Sequence, residues 1–133
     1  MRNHHILSAL ALFLFSVNPA IGQTAAEMMS YCQPIVNAHI NEGTMTMQAQ
    51  ADYRYETGKC WGAFRSIQAL SWYTQENTGG KRVGILGFCP PGESMLVQFV
   101  RIFDKFAKAR PDLQHENYES VALTALQSAF PCK

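Results

Sequence analysis

Four cysteines, Cys32, Cys60, Cys89 and Cys132, are spread along the 133-residue chain at separations of 28, 29 and 43 residues. No CxxC and no short zinc-type spacing occurs among them, so metal and dithiol redox chemistry have no support, and two disulfides are the expectation. Disulfides persist in oxidising compartments, and the N-terminus gives a reason to expect one. Met1-Arg2-Asn3-His4-His5 carries one fixed positive charge and leads into an apolar run, Ile6 to Val17, which is too short for the roughly 20 residues that span a bilayer. Asn18-Pro19 breaks the run, and the small residues Ala20 and Gly22 place the expected cleavage after Gly22. Residues 1–22 therefore read as a signal peptide and residues 23–133 as one exported domain. No cysteine follows the cut to take a lipid, so the processed chain is expected to carry no membrane anchor.

Composition narrows the partners. The chain is 47% apolar and 16% charged, which argues against disorder, and its formal net charge is +1. Loss of Arg2 with the signal leaves acids and bases balanced, so no field gathers nucleic acid or an anionic surface. A domain of this size hides only about two thirds of its surface on folding, and cross-links of about 3 to 4 kcal/mol each therefore matter.

Hydrophobic periodicity predicts an all-α domain of four helices, with a possible short extra helix. Thr24 is placed to cap the first, whose Met28, Met29, Cys32, Ile35, Val36 and His39 recur at helical spacing, with Pro34 expected to bend it. The second is expected from Lys59, after the breaker Gly58, with Cys60, Phe64, Ile67, Leu70 and Trp61 on one stripe. Ser94 is the expected N-cap of a third, with Leu96, Phe99, Val100, Phe103, Phe106 and Ala107 inward and Pro111 ending it. The fourth spans about Glu116 to Ala129, with Tyr118, Ala122, Ala125, Leu126 and Ala129 inward and Pro131 as its stop. The segment from Asn41 to Thr57 is polar and Met-rich and holds the extra helix around Met47 to Tyr55. The segment from Glu76 to Gly87 contains four glycines and reads as a loop with at most a brief strand at Val83 to Leu86.

Four cysteines allow three pairings, and the sequence does not choose among them. If the third and fourth helices form an antiparallel hairpin, Cys89 and Cys132 come within reach, and Cys32 with Cys60 is the second pair.

Catalytic signals are weak. His39 and His115 are the only imidazoles beyond the signal; HExxH, GxSxG, GxGxxG and the phosphate-loop spacing are all missing. No cofactor, no metal and no catalytic residue are expected. What stands out is chemistry suited to contact: Tyr53, Arg54 and Tyr55 together, Trp72 beside Tyr73, and Lys81 and Arg82 in the glycine-rich loop. Each has a plainer account, as core packing for the aromatics or as a hydrated turn for the basic pair.

Four segments occur in a telling order: Ser30-Tyr31-Cys32, Cys60-Trp61-Gly62, Phe88-Cys89-Pro90-Pro91-Gly92, and Ala129-Phe130-Pro131-Cys132. Together they make the chain resemble the Rap/Tai family over nearly all of residues 23–133. That resemblance implies a small exported helical immunity protein that protects a bacterium from a type VI secretion amidase cutting peptidoglycan in the periplasm. It further implies inhibition without catalysis and a possible homodimer. The shared residues read as scaffold: Pro91 and Gly92 set a sharp turn into a helix, and Gly62 permits a close neighbour. Ser66 stands where the family pattern usually has glycine. The partner contacts expected for an amidase effector are Tyr53, Arg54, Tyr55, Trp72, Lys81 and Arg82. An alternative is a disulfide-stapled envelope or stress protein, or a general binding module, with no toxin partner. A small hydrolase using His115 is a third reading.

Overall fold

The helix with the widest apolar face becomes the centre of the molecule. In the computed structural model, which describes residues 22–41, 46–48 and 55–132, the helices α1 (Ala25–Val36), α2 (Tyr55–Ser71) and α4 (Tyr118–Ala129) all pack on α3 (Leu96–Ala109). Leu96, Val97, Phe99, Val100, Phe103 and Ala107 of α3 are buried. Their spacing gathers the apolar groups on one broad face, a little under half of the circumference, which the three neighbours share. Three aromatic contacts fill the space between layers: Phe64 with Phe103 at 5.3 Å between ring centroids, and Phe99 with both Phe88 and Phe130 at 5.8 Å.

Two disulfides staple this arrangement, one inside the core and one at its edge. Cys32 on α1 is bonded to Cys60 on α2, and Cys89 before α3 to Cys132 after α4. The antiparallel α3–α4 pair brings the start of one helix beside the end of the other, and the backbone N–H of Cys89 donates to Phe130 O at 2.8 Å.

Helix ends show which local signals the sequence carries. Thr24 caps α1 reciprocally: its Oγ1 accepts from the N–H of Glu27, and Glu27 Oε2 accepts from the N–H of Thr24. The N–H groups of Ala25 and Ala26 donate to Glu116 O and Gln114 O, which ties the start of α1 to the turn before α4. At the other end Arg101 reaches from α3, giving Nε to Val36 O at 3.1 Å and Nη2 to Ala38 O at 2.6 Å. A guanidinium is suited to two exposed carbonyls because its donors form a fork.

Several expectations are corrected. The domain is mostly helical but not all-α. Antiparallel strands β1 (His39–Asn41) and β2 (Thr46–Gln48) form one small sheet, and β3 (Thr74–Glu76) and β4 (Arg82–Gly84) another. His39 therefore sits on a strand instead of α1, and Thr46–Gln48 is extended where a short helix was expected to begin. Most of that expected helix, Tyr53 and Arg54 included, lies outside the described residues, as does the expected signal segment through Ile21. Helix α2 starts at Tyr55, so Gly58 is inside it; one glycine costs a helix only about 1 kcal/mol. The cap of α3 is Met95, whose N–H donates to Gln98 Oε1, while Ser94 is buried with its carbonyl accepting from Gln68 Nε2. In α4 the buried set is Val121, Ala122, Ala125 and Leu126; Tyr118 is half-buried and Ala129 exposed. Gly62 faces solvent, and a Cβ there would meet nothing within 4 Å. Among the described residues no helix is long and apolar enough to cross a membrane.

Candidate functional site

The buried strip of α2 is narrow: Cys60, Phe64, Gln68 and Ser71. Gln68 takes the place that apolarity alone assigns to Leu70, and its burial is made possible by partners. Its amide donates to Ser94 O, its Oε1 accepts from Arg65 Nη1 at 2.9 Å, and its backbone carbonyl accepts from Ser71 Oγ at 2.7 Å. That strip turns Leu70 outward together with Trp72 and Tyr73, which are 44%, 49% and 64% exposed.

The chain then enters β3, turns, and returns through β4 in a hairpin with Thr74 opposite Gly84, Gln75 opposite Val83 and Glu76 opposite Arg82. The turn is fixed by one side chain. Asn77 Oδ1 accepts from the N–H groups of Gly79 and Lys81, both at 3.0 Å, while its backbone bonds to Lys81 O and Gly80 N at 2.9 Å. An asparagine bonding its own following backbone is a standard turn former, and Gly80 supplies the positive φ of 72° that closes the turn. Ile85, which is exposed, follows β4 and donates its N–H to Tyr73 O at 3.0 Å. The base of the hairpin thus carries exposed Tyr73 and Ile85, and exposed Lys81 in the turn leads into exposed Arg82 at the start of the return strand.

Gly84 anchors the hairpin to the bundle. It is buried, and a Cβ would run into the carbonyl of Phe88, so only glycine allows the backbones to approach this closely. Phe88 in turn is fully buried against Phe99.

Among the described residues, the expected contacts do not form one patch. Trp72, Lys81 and Arg82 belong to the same α2–hairpin unit. Tyr55 is exposed at the opposite end of α2, about 25 Å away at 1.5 Å per residue. It stacks instead on Lys59, whose Nζ lies 4.9 Å from its ring centre and 4.2 Å from that of Tyr31. Leu70, Ile85 and the organising role of Asn77 escaped sequence reading, although Asn-Thr-Gly-Gly is itself a turn signal. Trp61, expected inward, is exposed.

The polar groups elsewhere are mostly engaged in holding structure. His115 is exposed with Nε2 3.1 Å from Glu116 Oε1. An open groove of about 640 Å³ lies beside the start of α3. Its Arg101 holds the end of α1, its Gln98 caps α3, and the carbonyl of Ser94 holds Gln68.

The chain matches no curated protein and no solved structure. The family model of the Rap1a immunity proteins matches residues 24–132, a span that takes in both disulfides, all four helices and the β3–β4 hairpin, and the chain belongs to the Rap1a immunity protein family.

Proposed function

We propose that this protein is a periplasmic immunity protein that binds a secreted peptidoglycan amidase of the type VI kind and blocks it without performing a reaction. Family membership supports the immunity role and a toxin as partner. Two disulfides suit an exported chain, and residues 1–22 have the pattern of a signal that would deliver it there.

The observation that carries the contact surface is the Asn77-locked hairpin standing on an exposed apolar base. Aromatic side chains with few rotamers, beside an arginine, are the groups that dominate binding energy at protein interfaces. Here Trp72, Tyr73 and Ile85 are held on a backbone whose turn is already bonded, so little ordering entropy is lost when a partner docks. Lys81 and Arg82 add donors that suit carboxylates on the partner. Occlusion follows if this surface covers the amidase cleft.

The test uses a peptidoglycan amidase effector, sought first in the reading frames that neighbour this gene. Peptidoglycan hydrolysis is measured with and without the protein, and affinity by calorimetry. Inhibition at stoichiometric ratio is expected, and Trp72→Ala with Lys81→Ala should weaken binding by about 2 kcal/mol or more. Unchanged affinity in that variant removes the hairpin assignment, and undiminished hydrolysis at saturating protein removes the amidase.

A further inference from the structure

The two disulfides sit in opposite environments. Cys32 and Cys60 are both fully buried between α1 and α2. Cys89 is exposed and Cys132 half-exposed. Thiol–disulfide exchange requires a thiolate to reach a sulfur in line with the bond, so access separates the two bridges kinetically.

What the exposed bridge holds is local. Between Gly84 and Cys89 the return limb of the β3–β4 hairpin meets the end of α4: Gln127 Nε2 donates to Leu86 O at 2.9 Å, the N–H of Cys89 donates to Phe130 O, and the disulfide lies beside that bond. Opening the bridge leaves the limb tied by these two hydrogen bonds and the Phe88 anchor. The Cys32–Cys60 bridge joins two long helices through the middle of the core, and no such local opening exists there.

We propose that Cys89–Cys132 is a redox-sensitive latch on the β3–β4 hairpin, opened by a small thiol while Cys32–Cys60 stays closed. A thiolate attacks Sγ of Cys89, forming a mixed disulfide and expelling the Cys132 thiolate. A second thiolate attacks the outer sulfur of that mixed disulfide and expels the Cys89 thiolate. One protein disulfide is reduced by two electrons, two small thiols are oxidised to one disulfide, and their two protons end on the cysteines. The latch stands independently of the toxin reading, because it concerns the order of the hairpin and not what the hairpin touches.

The test treats the folded exported protein with reduced glutathione, blocks free thiols with N-ethylmaleimide at intervals, and maps the modified cysteines by mass spectrometry. Cys89 and Cys132 should react at least about tenfold faster than Cys32 and Cys60. Amide exchange is followed in parallel in the oxidised, the reduced and the Cys89→Ser/Cys132→Ser proteins. The N–H groups of Ile85, Gly87 and Cys89, bonded to Tyr73 O, Gly84 O and Phe130 O, should lose protection once the bridge is open, while α1 and α2 stay folded and slow-exchanging, quickened only by the global stability that the cross-link supplied. Simultaneous loss of both bridges, earlier loss of Cys32–Cys60, or unchanged exchange at the three amides overturns the proposal. So does collapse of the whole fold on opening, since the bridge would then be a staple.

Discussion

Replacing each disulfide by an alanine pair sets two physical terms against each other. Loop-closure entropy depends only on the separation, 28 residues for Cys32–Cys60 and 43 for Cys89–Cys132. It assigns about 3.6 kcal/mol to the first and about 4 kcal/mol to the second, so entropy alone makes loss of Cys89–Cys132 the worse change by about 0.4 kcal/mol. Burial reverses that order. Both sulfurs of Cys32–Cys60 lie in fully buried residues, and their removal leaves a void between α1 and α2 that adds on the order of 1 to 2 kcal/mol. At Cys89–Cys132 the site is open to water and the void term vanishes. Cys32→Ala/Cys60→Ala should therefore lose about 5 kcal/mol, close to the whole stability of many domains this small. Cys89→Ala/Cys132→Ala should lose about 4 kcal/mol or less. Urea unfolding followed by far-ultraviolet circular dichroism checks the order, with a larger m-value expected in both variants because the unfolded chain expands. A lower midpoint for the Cys89/Cys132 variant than for the Cys32/Cys60 variant refutes the reasoning.

Arg101→Lys should cost about 1.5 to 3 kcal/mol in the same assay, because an ammonium does not reproduce the fork that holds Val36 O and Ala38 O. Gly84→Ala should lower the melting temperature, since the new Cβ meets the Phe88 carbonyl; an unchanged melting temperature shows that the hairpin can shift freely. The Asp112 carboxyl is held below its ordinary value mainly by the hydrogen bond from Arg110. The small stabilisation this pair gives is therefore present above the unfolded-state pKa and is lost as pH falls through the folded one. Carbon-detected titration should show Asp112 moving back up in Arg110→Ala, and no movement would remove the ion pair as the cause.

The sequence carries the bundle because its signals there are the ones that burial enforces. Phe99, Val100, Phe103 and Ala107 recur at helical spacing, Thr24 and Glu27 form a complete capping box, and Pro111 and Pro131 mark ends. It reads β4 in part, as the brief strand expected at Val83 to Leu86 against the observed Arg82–Gly84, and it misses β1, β2 and β3. Thr74, Gln75 and Glu76 are exposed at every position, so no alternation is written into them, and the hairpin exists through the Asn77 turn and the Gly84 contact. Leu70 and Gln68 exchange places against their hydropathy because Ser94 O and Arg65 satisfy the buried amide, and no periodicity encodes a partner 26 residues away.

The same contrast explains why scaffold residues are legible and the proposed contact residues are not. A cysteine, a capping threonine or a core phenylalanine is constrained by this chain alone, so its role follows from spacing and burial. Trp72, Tyr73 and Ile85 leave much of their apolar surface in water beside a turn held by its own hydrogen bonds. Exposed apolar groups on a fixed backbone are an expense the domain does not need for stability, whereas a docking partner would remove them from water. Truncating Trp72 should accordingly change the melting temperature little, since surface substitutions stay within about 0.5 kcal/mol, yet weaken capture of the partner strongly. A large loss of stability in Trp72→Ala would mean that the indole packs on the hairpin for the fold's sake, and the surface would then have to be sought elsewhere on α2.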